Sequence, residues 1–170
     1  MSDSTVLSHF HKKQSWMASH IEQAQFPTKE SKAGLALYKA AEKQPELVNN
    51  PHPDSDADGY TFYRVDCHPL MVRYAITLAQ KWPESERETL MEYLSQVSLT
   101  DIPTPDGIHV ELCVAMQGGN PKAAGMLFSS EEEQGTVTGI YDVFGIEPDA
   151  QHAMQSHLLA SANGALIVCE

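Results

Sequence analysis

Basic residues are scarce in this chain and nearly vanish from its last third. The 170 residues carry 11 Lys and Arg against 23 Asp and Glu, a formal net charge of −12. From Asp106 to Glu170 the only Lys or Arg is Lys122, against nine acidic residues. Such a chain repels polyanions, which argues against nucleic acid and anionic membranes and favours small amines or basic protein surfaces as partners. Long apolar runs are missing too. None reaches the ~18 residues of a spanning helix, and Met1-Ser2-Asp3-Ser4-Thr5 has neither the basic nor the apolar stretch of a secretory signal. The expected location is cytoplasmic. Cysteine is sparse: Cys67, Cys113 and Cys169 stand singly in strand-like runs, with no C-x-x-C, and read as buried thiols. Neighbours on a strand point to opposite faces, so Cys67 and His68 do not make a nucleophile–base pair. A G-x-S-x-G elbow and a recognisable triad order are absent as well.

The remaining composition, 42% hydrophobic and 20% charged, fits one globular domain with a sizeable core. Residues 4–25 repeat apolar groups at Val6, Phe10, Met17, Ile21 and Ala24, which predicts an amphipathic helix with Lys12, Lys13 and Glu22 on its outer surface. Pro27 ends it, and a second helical pattern over 30–43 completes a hairpin. Residues 45–59 are polar and turn-rich and read as a linker before an α/β unit over 60–170. Within that linker, Asp54-Ser55-Asp56-Ala57-Asp58-Gly59 matches the opening of a calcium loop. The twelfth position is Val65, where such a loop needs a bidentate Glu, so a solvated acidic turn is the preferred reading over a weak divalent-cation site. The eight histidines show no ligand spacing: His9 and His11 fall on different faces of a helix, and His152 and His157 are five apart, so all are read as surface residues.

Further on, a strand-like run (60–67) precedes two helical runs (70–81 and 84–98). Three β-rich runs follow at 109–116, 123–128 and 136–146, the first two joined by Gly118-Gly119-Asn120-Pro121 and the last two by an acidic stretch, 129–135. Pro148 then opens a helical pattern ending near Asn163-Gly164, and 165–169 reads as a short buried strand.

This β-α-α-β-β-β-α-β order resembles the GNAT superfamily of acyl-CoA N-acyltransferases. Gly119-Asn120-Pro121-Lys122-Ala123-Ala124-Gly125 looks like the hairpin of the family's second and third strands. Ile140 to Phe144 with Ile146-Glu147-Pro148 looks like its fourth strand and the turn into the acyl-CoA loop. The resemblance implies an α/β (α+β) fold with a mixed, largely antiparallel sheet, preceded here by the helical hairpin. It also implies acetyl-CoA or another acyl-CoA as cofactor, an amine as acceptor, and transfer without a covalent intermediate. In such a site Val143, Phe144 and Gly145 would supply main-chain donors to the acyl-pantetheine, Asp142 would be the base, and Gln151 would begin the pyrophosphate loop. Met154 and Ser156 stand where the family has small residues, so a Met side chain would meet the phosphate. Family members continue past the last strand seen here, so either the N-terminal helices or a second subunit, in a homodimer, would cover the exposed sheet. A non-catalytic module that meets a basic partner through an acidic surface is the alternative to the acyltransferase.

Overall fold

The computed structural model describes residues 2–23, 27–48, 59–99, 104–133, 135–164 and 166–170. Their elements in chain order are α1 (Ser2–Glu22), α2 (Lys29–Ala41), β1 (Glu46–Leu47), β2 (Thr61–Arg64), α3 (His68–Ala79), α4 (Glu84–Leu99), β3 (Ile108–Gln117), β4 (Asn120–Glu132), β5 (Gly135–Gly145), α5 (Pro148–Ser161) and β6 (Leu166–Cys169). The six strands form one sheet in the order β1-β6-β5-β4-β3-β2. Every pairing is antiparallel except β5 with β6, which α5 connects as a parallel pair. The fold is therefore the expected mixed α/β class with a largely antiparallel sheet.

Residue alternation on the central strands sorts the helices onto two faces. Ala124, Met126, Phe128 and Tyr141 pack with α1 to α4 in one core, whereas Ala123, Leu127 and Ile140 pack with Ala150, Met154 and Leu158 of α5 in another. The N-terminal hairpin thus shares its core with the sheet and with α3 and α4. Thr28 caps α2 by accepting the Ser31 N–H at 3.0 Å. One turn on, Gly34 lies so close to α4 that an added Cβ would meet the Thr89 carbonyl oxygen and come within 2.5 Å of Tyr93 Cβ. That close crossing carries Tyr38, on the same face of α2 one turn later, into the core at 2% exposure.

Several expectations need correction. The segment read wholly as linker contains β1, which pairs with β6, and Val48 N–H donates to the Ile167 carbonyl at 2.9 Å, so the N-terminal region covers that edge of the sheet. Asp54, Asp56 and Asp58 of the calcium-like motif lie outside the described residues. β4 runs on through Glu132, where an acidic loop is expected, because Ser129, Ser130 and Glu131 pair with Thr138, Val137 and Thr136. Cys67 is not a buried strand thiol but an exposed residue at the N-cap of α3, since Pro69 starts the helix there. Lys13, expected at the surface, is fully buried, as are His9 and His20, because the buried stripe of α1 runs through Val6, His9, Phe10, Lys13, Met17, His20 and Ile21. Among the described residues no helix is long and apolar enough to cross a membrane, and no group of three His, Cys, Asp or Glu side chains is arranged to hold a metal ion.

Candidate functional site

The site is built where the sheet changes from antiparallel to parallel. β6 pairs with β5 from Val137 to Ile140 and then stops, with Glu170 N–H donating to the Ile140 carbonyl at 3.1 Å. β5 continues to Gly145, so among the described residues no strand pairs with its last residues on that side. The start of α5 closes over the gap, leaving a cavity of about 430 Å³ lined by Ile140, Asp142, Val143, Pro148, Gln151, His152, Gln155 and Glu170. The carboxyl end of a parallel strand pair is the usual position for a ligand crevice in α/β sheets.

Asp142 enters this cavity by way of a β-bulge. Met126 pairs with Tyr141 and Ala124 with Phe144, so Gly125 alone stands opposite both Asp142 and Val143. Asp142 has φ +58°, the single described non-glycine residue in the left-handed region. Asp tolerates that conformation better than most side chains, at a cost of about 1–2 kcal/mol. The bulge breaks the alternation of β5 and lets the carboxylate reach across to α2, where Tyr38 OH donates to Asp142 Oδ2 at 2.7 Å. Asp142 N–H in turn donates to Glu170 Oε1 at 3.2 Å.

Two carboxylates therefore share one small volume. Burial and then the charge of Asp142 push the Glu170 carboxyl above the usual carboxylate range, opposed by Lys13 and Lys81. Burial first and the Asp142 charge second raise Tyr38 well above the ordinary phenol value, so it acts as a neutral donor. Behind Tyr38 lies Lys13, whose Nζ sits 4.7 Å from the Tyr38 ring centre, 4.8 Å from that of Tyr141 and 6.0 Å from that of Phe10. Among the described residues no hydrogen-bond partner reaches Lys13 Nζ or the hydroxyls of Tyr74 and Tyr141.

The residues implied by the resemblance divide into two groups. Asp142, Val143 and Gln151 line the cavity, and Gly145 adjoins it. Gly145 N–H, expected to serve acyl-pantetheine, already donates to Gln151 Oε1 at 3.2 Å. Phe144 packs against the opposite core. Met154 is fully buried and packs on the sheet beside Leu158, with its Cγ 3.0 Å from where a Gly125 Cβ would lie. Ser156 is likewise buried. The cause is that Pro148 sets the first turn of α5, so 151–156 is helix rather than a loop with open backbone N–H groups, and Glu147 and Asp149 flank the helix start.

Sequence reading missed Lys13, Tyr38, His152, Gln155 and Glu170. The buried stripe of α1 would have exposed the Lys13 case had polar residues been admitted to the apolar period. A larger groove, about 1170 Å³, runs between α1 and the turn before β3, past His11, Trp16, Thr104 and Ile108. Its Lys12 is already bound to Glu132 Oε2 at 2.8 Å. Comparison of the chain with family models, with curated proteins and with solved structures finds no match.

Proposed function

We propose that this chain is a binding module on a GNAT-like scaffold, and that the cavity at the ends of β5 and β6 receives an amine, carried by a small molecule or by a basic protein. The observation that carries this reading is the bulged Asp142 carboxylate held beside Glu170 in a cavity of about 430 Å³. An ammonium placed there would meet two acceptors in a partly desolvated setting, where charge-assisted hydrogen bonds are strong. The acidic composition supports a basic partner over a polyanion. Three unpaired cysteines are compatible with a reducing, cytoplasmic location.

Acyl transfer from acyl-CoA to an amine is the second reading, supported by the strand order and by the carboxylate of Asp142 at the end of β5. Against it stand the Gly145 N–H already occupied by Gln151, the absence of a loop at 151–156, and the acids around the start of α5. Calorimetric titration separates the two. Millimolar or tighter binding of n-butylammonium with no heat from acetyl-CoA is the expected outcome. Micromolar binding of acetyl-CoA would replace the binding module with the transferase.

A further inference from the structure

Among the described residues every buried basic side chain, His9, Lys13 and His20, lies on α1. The buried polar residues of the other helices, Ser31, Thr77 and Ser156, carry no charge. His9 is 0% exposed, stacked on Tyr141 of β5 with ring centres 5.8 Å apart and edge-on to Phe128 of β4 at 5.6 Å. The Ser130 hydroxyl spends its one proton on Glu132, so it accepts from His9 Nδ1–H, which fixes the neutral tautomer with a bare Nε2. Among the described residues Nε2 has no hydrogen-bond partner, and it faces Gly139 so closely that an added Cβ there would lie 2.6 Å away. A second proton on the ring must go to Nε2. The new N–H would be a buried donor without an acceptor, and the cation would share the Tyr141 ring with Lys13 Nζ, which sits 4.8 Å from its centre.

The charged groups around the ring do not offset that cost. Burial lowers His9 from 6.5 to about 4; Glu132, on β4 behind Ser130, pulls the other way, while Lys12 and Lys13 of α1 add to the lowering. From β5 the ring meets Tyr141, whose phenol burial keeps neutral. His20, on the same stripe of α1, is lowered to about 4 by burial alone. α2, in contrast, is held without α1: Gly34 crosses α4 at backbone contact, and Tyr38 donates to Asp142. We propose that α1 is an acid-released strap, lifted from β4 and β5 by proton uptake at His9 while α2 to α5 and the sheet stay folded, so that the apolar face around Phe128 and Tyr141 is uncovered. Because the docked ring has the lower value, docking is complete above pH 6.5 and weakens as pH falls toward 4. At pH 5 a freed histidine is protonated by about 30 to 1 and the docked ring is largely neutral, so His9 alone raises the released population about thirtyfold over neutral pH.

Amide hydrogen exchange on the whole chain at pH 7.5 and pH 5, corrected for the intrinsic change in exchange rate, reads the opening constant of each helix. The amides of α1 are expected to open at least about thirtyfold more readily at pH 5, with a much smaller rise in α4. Equal rises in α1 and α4 would mean that acid unfolds the domain as a whole, and the strap is then overturned; no rise in α1 overturns it as well. His9→Gln keeps a side chain able to donate to Ser130 and cannot take up the proton. It is expected to cut the α1 rise by about thirtyfold, leaving the part that His20 supplies. A rise in α1 that is unchanged in His9→Gln removes His9 as the trigger and overturns the proposal. If His9→Gln does not fold, the comparison of α1 with α4 in the natural protein still decides whether acid releases this helix alone.

Discussion

Tyr38 and Asp142 lie 104 positions apart and are joined by a 2.7 Å hydrogen bond inside the protein. The bond ties the N-terminal hairpin to the bulge of β5, so the two halves of the sequence meet at the candidate site. Tyr38→Phe removes the donor while leaving the ring and its packing. Asp142, 4% exposed, would then hold a buried oxygen without that partner, for which a loss of about 1.5–3 kcal/mol is expected from urea unfolding. Asp142→Asn should cost less, because its side-chain oxygen still accepts from Tyr38 and Asn also tolerates positive φ. Equal stability of Tyr38→Phe and the natural protein would show that the bond contributes nothing net.

The same hairpin carries a response to acid. His9 Nδ1 bonds Ser130 Oγ at 2.8 Å, and Ser130 donates onward to Glu132 at 2.6 Å, so the ring links α1 to β4. Burial lowers His9 from 6.5 to about 4, and burial lowers His20 by the same route to about 4. Both rings are therefore favoured as neutral in the folded state. Their stabilisation is complete above pH 6.5 and declines as pH falls from 6.5 toward 4, by an amount on the order of 3 kcal/mol for each ring. Burial pushes the Glu132 carboxyl up, but hydrogen bonds from Lys12, Ser130 and Ser8 hold it below its ordinary 4.5, so its own loss of stabilisation in acid begins only as pH falls through 4.5, below the interval from 6.5 to 5. His157 is lowered by burial as well, so His9→Phe should reduce the stability slope between pH 6.5 and 5 without abolishing it, read by thermal melts across that interval. A slope that survives His9→Phe intact would assign the acid response elsewhere.

Strands β2 to β6, the five helices and the order of the α/β part were legible because periodicity and turn residues report local backbone preference, whereas the two-residue β1 has no such pattern and exists only through its pairing with β6. Gly118-Gly119 between two β-rich runs marks the β3–β4 hairpin, and Pro148 marks the start of α5. The site was legible only in part. Asp142, Val143 and Gln151 could be named only from the resemblance to the GNAT superfamily, and the bulge that turns Asp142 toward α2 depends on its pairing with β4, which no local pattern encodes. Lys13 was placed outside because lysine is rarely buried. Only the assembled ring box of Phe10, Tyr38 and Tyr141, together with two carboxylates, makes burial tolerable at that position.

Met154 provides the sharpest test of how the region after β5 is built. If 151–156 were a phosphate loop, Met154→Gly would clear space for an anion and leave the fold unharmed. In the structure Met154 is a fully buried residue of α5, set among Cys113, Ala123, Leu127 and Leu158. Truncation there removes buried apolar volume, at about 2–5 kcal/mol for a large-to-small change in a core, and glycine adds about 1 kcal/mol within a helix. The variant should therefore lose about 3–6 kcal/mol, a large share of the ~5–15 kcal/mol that holds a domain folded, without gaining affinity for acetyl-CoA. Met154→Leu, which conserves volume, should cost less than about 1.5 kcal/mol. Chemical denaturation of the two variants, with acetyl-CoA titrated into whichever remains folded, decides between the accounts. A stable Met154→Gly protein that binds acetyl-CoA would mean that the start of α5 opens into a loop.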